Sequence, residues 1–397
     1  MVGKAPLMPS LQEQYDTRNI RKPRYSIPSM AEIEATPAKH LAVSTFSGCG
    51  GSCLGYRMAG FNVAWASEFI EAAQQTYVLN HPGAHLDTRD IREVKGRDIL
   101  RKIGARKGEI DLFDGSPPCA AFSSSGKLEK GWNQPKKYSD KVQRVDDLFY
   151  EYVRLVSETQ PKVFVAENVT GLARGVAKGY FKNIFRAMAE AGYIVRAQII
   201  DGQWLGIPQQ RKRLIFIGVR KDLKQEPVFP EPLPYRYSVA DVLPWIRRFR
   251  ISGAPNRWKT AQSPYSTITQ SVAMRAWSSY LAANGYVEAM AWVPEPTEPA
   301  SDSVIDLWDA TGYRVGQMID QLEEGDALRR TRYYQVIDNP YRERRKLFIP
   351  EVKALSGFPQ QFHLTGTFAQ RWERIGRAVP PPMMEAIARA VRTHILD

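Results

Sequence analysis

Leu41-Ala42-Val43-Ser44-Thr45-Phe46-Ser47-Gly48-Cys49-Gly50-Gly51 decides the fold. An apolar run of strand length ends in a glycine-rich turn, and a helix-like segment at 51–59 follows. Strand, glycine turn and helix in that order open a doubly wound α/β sheet, where ligands meet the carboxyl ends of the strands. The same rhythm repeats outward. Apolar runs at 62–67, 110–114, 162–166, 193–200 and 214–219 alternate with helix-like stretches near 68–79, 143–158 and 178–191. This alternation predicts a mostly parallel sheet covered by helices on both faces.

The rhythm stops near Arg220. Residues 223–344 are rich in proline, aromatics and arginine, with Pro227, Pro230, Pro232 and Pro234 at their head. That shift in composition predicts a second, smaller domain. Helical pattern returns at 349–357 and 382–395, so 345–397 reads as a return to the first domain, which occupies 41–222. Residues 1–40 are polar and basic (Arg18, Arg21, Lys22, Arg24) with scattered prolines, and read as an N-terminal arm.

Composition narrows the function classes. With 397 residues and 43% hydrophobic content the chain buries a full core. Its net charge of +13 and pI of about 9.5 favour a polyanionic partner such as nucleic acid, although a merely soluble basic protein meets the same balance. No apolar run approaches the ~20 residues of a membrane span, and the N-terminus lacks a secretory apolar region. No membrane partner is expected. Cys49, Cys53 and Cys119 form neither a disulfide framework nor a zinc-like spacing, and His81 and His85 are separated by Pro82 and Gly83. A reducing, cytoplasmic setting and no metal are expected.

Glycines after a first strand let backbone approach a ligand closely, and a following helix N-terminus offers free N–H groups; a simple tight turn is the competing reading. Glu68 closes the second strand, where a carboxylate takes the ribose hydroxyls of an adenosine-containing cofactor. Asp90 is read as the end of a third strand, within reach of a purine amino group. Asp114-Gly115-Ser116-Pro117-Pro118-Cys119 follows the apolar strand Ile110–Phe113. Two prolines freeze the turn and hold the cysteine at the strand's carboxyl edge, a position that an inert core cysteine does not need. The strand from Pro161 to Ala166 ends in Glu167-Asn168-Val169, which brings an acid to a neighbouring strand end, so thiol and acid converge on one ligand.

Phe46-Ser47-Gly48-Cys49-Gly50-Gly51, Pro117-Pro118-Cys119 with Phe122-Ser123, Glu167-Asn168-Val169 and Gln210-Arg211-Lys212-Arg213 stand in the order of one known family. Over roughly 41–220 and 345–390 the chain resembles the DNA cytosine-C5 methyltransferases of bacterial or phage type. The resemblance implies an S-adenosylmethionine-dependent methyltransferase fold with a smaller target-recognition domain within 223–344. It implies that the Cys119 thiolate adds to C6 of a cytosine flipped out of double-stranded DNA, so that C5 attacks a methyl group. Glu167 would hold a proton at N3, Asn168 position the loop, Arg213 bond the base O2, and Arg211 lie near phosphate or the nucleophile. S-adenosylmethionine would sit against Phe46, Gly48, Gly50, Gly51, Glu68, Phe69, Asp90, Ile91, Pro118 and Leu148, with Arg377, Ala378 and Val379 contributed by a C-terminal motif. Lys127, Lys130, Lys136 and Lys137 suit a flap over the flipped base, or else a solvated charge run. Arg257-Trp258, Arg275-Ala276-Trp277 and Arg332-Tyr333-Tyr334 suit DNA contact, or else amphipathic core edges. A monomer is expected.

The family pattern breaks in three places. Ala120 replaces the glutamine that follows the nucleophile, and Arg345–Glu351 matches its segment only in part. In Gly376-Arg377-Ala378-Val379-Pro380 an arginine replaces the family's asparagine. A cation beside a sulfonium donor is unfavourable, which raises an alternative: Arg377 recognises carboxy-S-adenosylmethionine and the product is 5-carboxymethylcytosine. In the plainer reading Arg377 pairs with a local acid or a DNA phosphate, and methyl transfer is ordinary. Two further alternatives are a tRNA cytosine-C5 methyltransferase, which shares the Pro-Pro-Cys and Glu-Asn-Val motifs, and an inactive DNA-binding relative.

Overall fold

The computed structural model describes residues 22–118, 136–138, 141–143, 147–173, 177–243, 246–250, 258–269, 275–278, 344–347 and 349–397. Seven strands build its main sheet: β1 (His40–Thr45), β2 (Phe61–Ser67), β3 (His85–Asp87), β4 (Leu112–Gly115), β5 (Val163–Val169), β6 (Tyr193–Asp201) and β7 (Lys212–Arg220). Their order is β3-β2-β1-β4-β5-β7-β6. The pairs from β3 to β5 are parallel, while β7 runs antiparallel to both β5 and β6. The sheet is therefore mostly parallel and doubly wound, as the alternating pattern predicts. Strand order reverses between β1 and β4, and that switch point is where such sheets open a crevice for ligands.

Period-two alternation explains why the central strands read as unbroken apolar runs. Val43, Phe113, Phe164, Ala166, Leu214 and Phe216 face one core cluster, and Ala42, Leu112, Val163, Val165, Ile215 and Ile217 face the other. The first is covered by α4 (Gly96–Ile103), α5 (Leu148–Thr159) and α6 (Lys178–Glu190). The second is covered by α2 (Gly51–Met58), α3 (Glu71–Asn80) and the C-terminal α9 (Pro381–Val391). Among the described residues no helix is long and apolar enough to cross a membrane.

The N-terminal arm differs from expectation. Ser29 caps α1 (Met30–Ala35) through a reciprocal box with Glu32, and Ile33 is buried. Tyr25 donates to the Ala354 carbonyl and stacks edge-on against Tyr237, while Lys22 pairs with Asp241. From Lys22 onward the arm is packed down. Helices over 96–103 and 368–377 were likewise not visible in the apolar pattern, because each has a strongly polar outer face.

Beyond β7 the chain builds a second, antiparallel sheet from β8 (Ile246–Arg250), β9 (Trp258–Thr260), β10 (Arg275–Ser278) and β11 (Arg344–Lys346), in the order β9-β8-β10-β11. A third core cluster joins it to the rest. Ile246, Tyr265 and Ile268 pack with Cys49 and Leu54 of the first βα unit and with residues of α7 (Ile349–Leu355) and α8 (Phe368–Arg377).

Candidate active site

The carboxyl ends of β1, β2, β4 and β5 lie along one edge, and the reversed β7 brings its first residues to that edge. β1 ends in a turn with two left-handed residues, Phe46 at φ 54° and Gly48 at φ 57°. Nothing lies within 4 Å of where a side chain on Gly48 would point. The neighbouring glycines are different. A Cβ on Gly50 would fall 2.1 Å from His81 Nε2, and one on Gly51 would fall 2.4 Å from the Val379 carbonyl. Gly50 and Gly51 thus admit α3 and the C-terminal segment to close packing, while Gly48 borders open space.

Glu68 follows β2 directly. Its Oε2 accepts the Gly48 N–H and its Oε1 the Ile70 N–H, each at 2.7 Å. Burial raises the Glu68 carboxyl above its ordinary range, against the opposing pull of these N–H groups and of the Arg374 charge. A half-buried acid held by two backbone donors keeps lone pairs for a diol and gains from accepting its protons. Phe46, which packs on the core cluster of Ile91 and Leu148, and half-buried Phe69 flank this turn. Open space at Gly48, a fixed acid and flanking aromatics fit an adenosine-containing cofactor.

Asp90 is displaced from its expected place. β3 ends at Asp87, and Asp90 lies in the following turn, where Arg92 ties it to Asp147 with contacts of 2.9 and 2.7 Å. Ile91 and Leu148 are core residues with 5% and 2% exposure.

Ser44 of β1 and Asp114 of β4 floor the switch point. The Asp114 carboxyl accepts from Ser44 Oγ at 2.7 Å and from the Tyr56 hydroxyl at 2.9 Å. Burial pushes its pKa up to about 7. Burial also pushes the Cys49 and Cys53 thiols up to about 12 and 11, so neither is a thiolate at neutral pH. β4 leads into Pro117 and half-buried Pro118. Cys119, Ala120, Phe122, Ser123, Lys127 and Lys130 lie outside the described residues, as do Arg257 and 332–334, and the side chains of Lys136, Lys137, Trp258, Arg275 and Trp277 are likewise not described.

The edge of β5 is well defined. Glu167, 8% exposed, receives Arg213 Nε at 2.6 Å on its Oε1. Register explains the contact: Glu167 faces Ile215, so Arg213, two residues away on the antiparallel strand, emerges on the same face. Asn168 points the other way, and its amide donates to the Pro117 carbonyl at 3.1 Å, tying β5 to the proline turn.

Arg211 differs from expectation. It is 1% exposed, with Nη1 donating to the Ile268 carbonyl at 2.9 Å and Nη2 to the Gly376 and Ala378 carbonyls at 3.0 and 2.6 Å. It is a clamp between three segments, with both Nη atoms donating to main-chain carbonyls. Gln209, which the sequence reading passed over, joins the same knot through the Leu355 carbonyl and the Ile268 N–H. A polar side chain flanked by Ile207 and Pro208 carries no sequence signal for that role.

The C-terminal motif packs against the glycine turn through Val379, and Ala378 is held by Arg211. Arg377 Nε pairs with Glu373 Oε1 at 2.8 Å, one turn back on α8. The charge conflict behind the carboxylated-donor alternative is thereby relieved within the protein.

A family model for C-5 cytosine-specific DNA methylases matches residues 42–393. The chain belongs to that family. This DNA cytosine-C5 methyltransferase is 27% identical over 360 residues to the type II methyltransferase M.NgoPII of Neisseria gonorrhoeae, covering 88% of this chain and 94% of that one. It is 29% identical over 364 residues to M1.HphI of Haemophilus parahaemolyticus, covering 88% and 86%. In fold it is similar to DNMT2 of Spodoptera frugiperda (TM-score 0.53, 16% identity, 87% and 98% covered) and to Dnmt2 of S. pombe (TM-score 0.52, 15%, 89% and 98%). Membership implies use of S-adenosylmethionine, and the family match favours DNA over the tRNA alternative.

Proposed function

We propose that this methyltransferase modifies cytosine within a short, specific sequence of double-stranded DNA, and that the base is turned out of the helix and held at the Glu167–Arg213 edge. One observation carries the reading: an acid and a guanidinium 2.6 Å apart beside the proline turn. Cytosine presents N3 and O2 side by side, so the Glu167 carboxyl, which meets N3 once a proton lies between them, and the Arg213 guanidinium, which donates to O2, match one edge of the base. Cys119, at the end of that turn, supplies the thiolate that forms the S–C6 bond while the C5=C6 π pair moves onto C5. Glu167 holds the proton at N3, which draws electron density from the ring and favours addition. Arg213 donates to O2. Asn168 acts on position through Pro117. Loss of the C5 proton to water then returns the electron pair and breaks the S–C6 bond.

S-adenosylmethionine, when bound, supplies an electrophilic methyl group. Phe46, Gly48, Glu68 and Phe69 would hold its adenosine, with Asp90, Ile91, Pro118 and Leu148 around them and Ala378 and Val379 behind the glycine turn. We read the transferred group as methyl, since Arg377 has Glu373 for a partner. Because both relatives are named as type II methyltransferases, we assign the protein to sequence-specific modification. The segment 223–344 would carry base recognition, and the protein would act as a monomer.

Duplex DNA carrying 5-fluorocytosine in the modified context tests the reading. With S-adenosylmethionine the protein should form an adduct that survives denaturant, and Cys119→Ser should form none. Sequencing of cytosine modification in an expressing host should locate that context. A host genome with no modified cytosine, together with no adduct, would overturn the assignment.

A further inference from the structure

Three arginines are almost fully buried among the described residues: Arg211, Arg371 and Arg374. Two of them donate to main-chain carbonyls, although Arg211 Nε itself has no hydrogen-bond partner. Arg211 donates to three carbonyl oxygens, and Arg371 Nε donates to the Gly366 carbonyl at 2.7 Å. Arg374 is 4% exposed, yet its Nε and Nη2 have no hydrogen-bond partner. Its contact with a carboxylate, Nη1 to Glu373 at 3.9 Å, is beyond hydrogen-bond range, and Glu373 is committed to Arg377. A buried guanidinium left in this state is costly, and its usual remedy is an anion that binds it.

Position says which anion. Arg374 lies in the last turn of α8, and its carbonyl is 3.8 Å from Cys49 Sγ, so this turn of helix rests on the glycine turn after β1. Its charge is felt at both Cys49 and Glu68. The main chain around it is fixed, because Arg211 holds the carbonyls of Gly376 and Ala378. The guanidinium itself makes no hydrogen bond that an incoming ligand would have to break. S-adenosylmethionine carries one anionic group, the carboxylate of its amino-acid end. Glu68 repels that group and suits hydroxyls instead. Of the two cations on this face of α8, Arg377 is hydrogen-bonded to Glu373, whereas Arg374 has only the 3.9 Å contact with it.

We propose that Arg374 binds the α-carboxylate of the donor, turning its unpartnered guanidinium onto the amino-acid end. The inference rests on the reading that Gly48 and Glu68 hold the donor. It makes Arg374 a binding residue of the donor site, outside the cysteine chemistry.

Calorimetric titration with two ligands that cannot be turned over tests it: S-adenosylhomocysteine and its decarboxylated counterpart. Wild-type protein should bind the decarboxylated ligand about 10–100-fold more weakly, as expected for charge-assisted hydrogen bonds to a guanidinium. Arg374→Gln should bind both ligands with nearly equal affinity, and Arg374→Lys should restore part of the discrimination. Melting of ligand-free Arg374→Gln supplies an independent readout. It should occur at or above the wild-type temperature, because the variant removes an unpaired buried charge. Undiminished discrimination in Arg374→Gln, or none in wild type, overturns the proposal. So does a ligand-free variant that loses most of its stability, which would make the guanidinium a structural group. Failure of wild type to bind either ligand would instead overturn the donor-site reading.

Discussion

The two sides of the switch point hold their charges in different ways. On the base side, Glu167 and Arg213 satisfy each other at 2.6 Å, side chain to side chain, across neighbouring strands. On the donor side, Glu68 is held by the N–H groups of Gly48 and Ile70, while Arg374 nearby is left unpartnered. A mutually paired carboxyl and guanidinium are preorganised for a flat ligand that shares a proton with the first and accepts from the second. A backbone-held acid with an unsatisfied cation is incomplete until a ligand with both hydroxyls and an anion arrives. On the proposed assignment, rigid preorganisation would fall where the bond is made, and binding energy would be gathered on the other side.

That contrast can be broken in graded steps. The largest effect is expected from Glu167→Gln, which should lower kcat by about 10²–10⁴-fold, the range for a general acid or base. Binding of S-adenosylhomocysteine should stay unchanged; a parallel loss of both would show that the two sides are not independent. Arg211→Met should act on stability, because it strands three buried carbonyl oxygens. A loss of about 3–5 kcal/mol in urea unfolding is expected, the cost of breaking one partner from a buried charged contact. A stable variant with a purely kinetic defect would return Arg211 to the chemistry.

Glu68→Ala should weaken S-adenosylhomocysteine binding by about 10–100-fold, since hydrogen bonds to a charged group are lost. Its effect on kcat at saturating donor should be small by comparison. The mildest change concerns the shared floor. The Asp114 pKa is raised from 3.8 to about 7, so its protonated form stabilises the fold fully below the ordinary aspartate range. That contribution fades as pH rises and is lost above about 7. Asp114→Asn should therefore melt with wild type near pH 4 and above it at pH 8, the gap widening as pH rises toward about 7. Equal melting at both values would mean that the acid is charged at no cost.

Much of the placement of these motifs at strand ends was legible before folding, and the reason is local. Phe46–Gly51, Glu68, Pro117–Pro118 and Glu167–Asn168 each sit at a strand end, where turn chemistry and apolar runs mark the place. The strand expected to end at Asp90 ends at Asp87, because β3 is three residues long and leaves almost no apolar signal. Gly50 and Gly51 read as ligand glycines from sequence, and they also make room for His81 and the Val379 carbonyl, which are distant in sequence.

The arginines divide along the same line. Alternation and motif order by themselves determined the doubly wound sheet, the strand-end residues and the reaction class, since each depends on neighbours within a few positions. Whether an arginine faces a base, clamps carbonyls or waits for an anion depends on which segments meet around it. Arg211 and Arg213 are two residues apart, but one is enclosed by Ile268, Gly376 and Ala378 and the other pairs with Glu167. Arg374 and Arg377 lie within one turn of a helix, and Glu373 engages one at 2.8 Å and leaves the other at 3.9 Å. A long, charged side chain takes its role from partners brought in by the fold, so only the tertiary structure decided it.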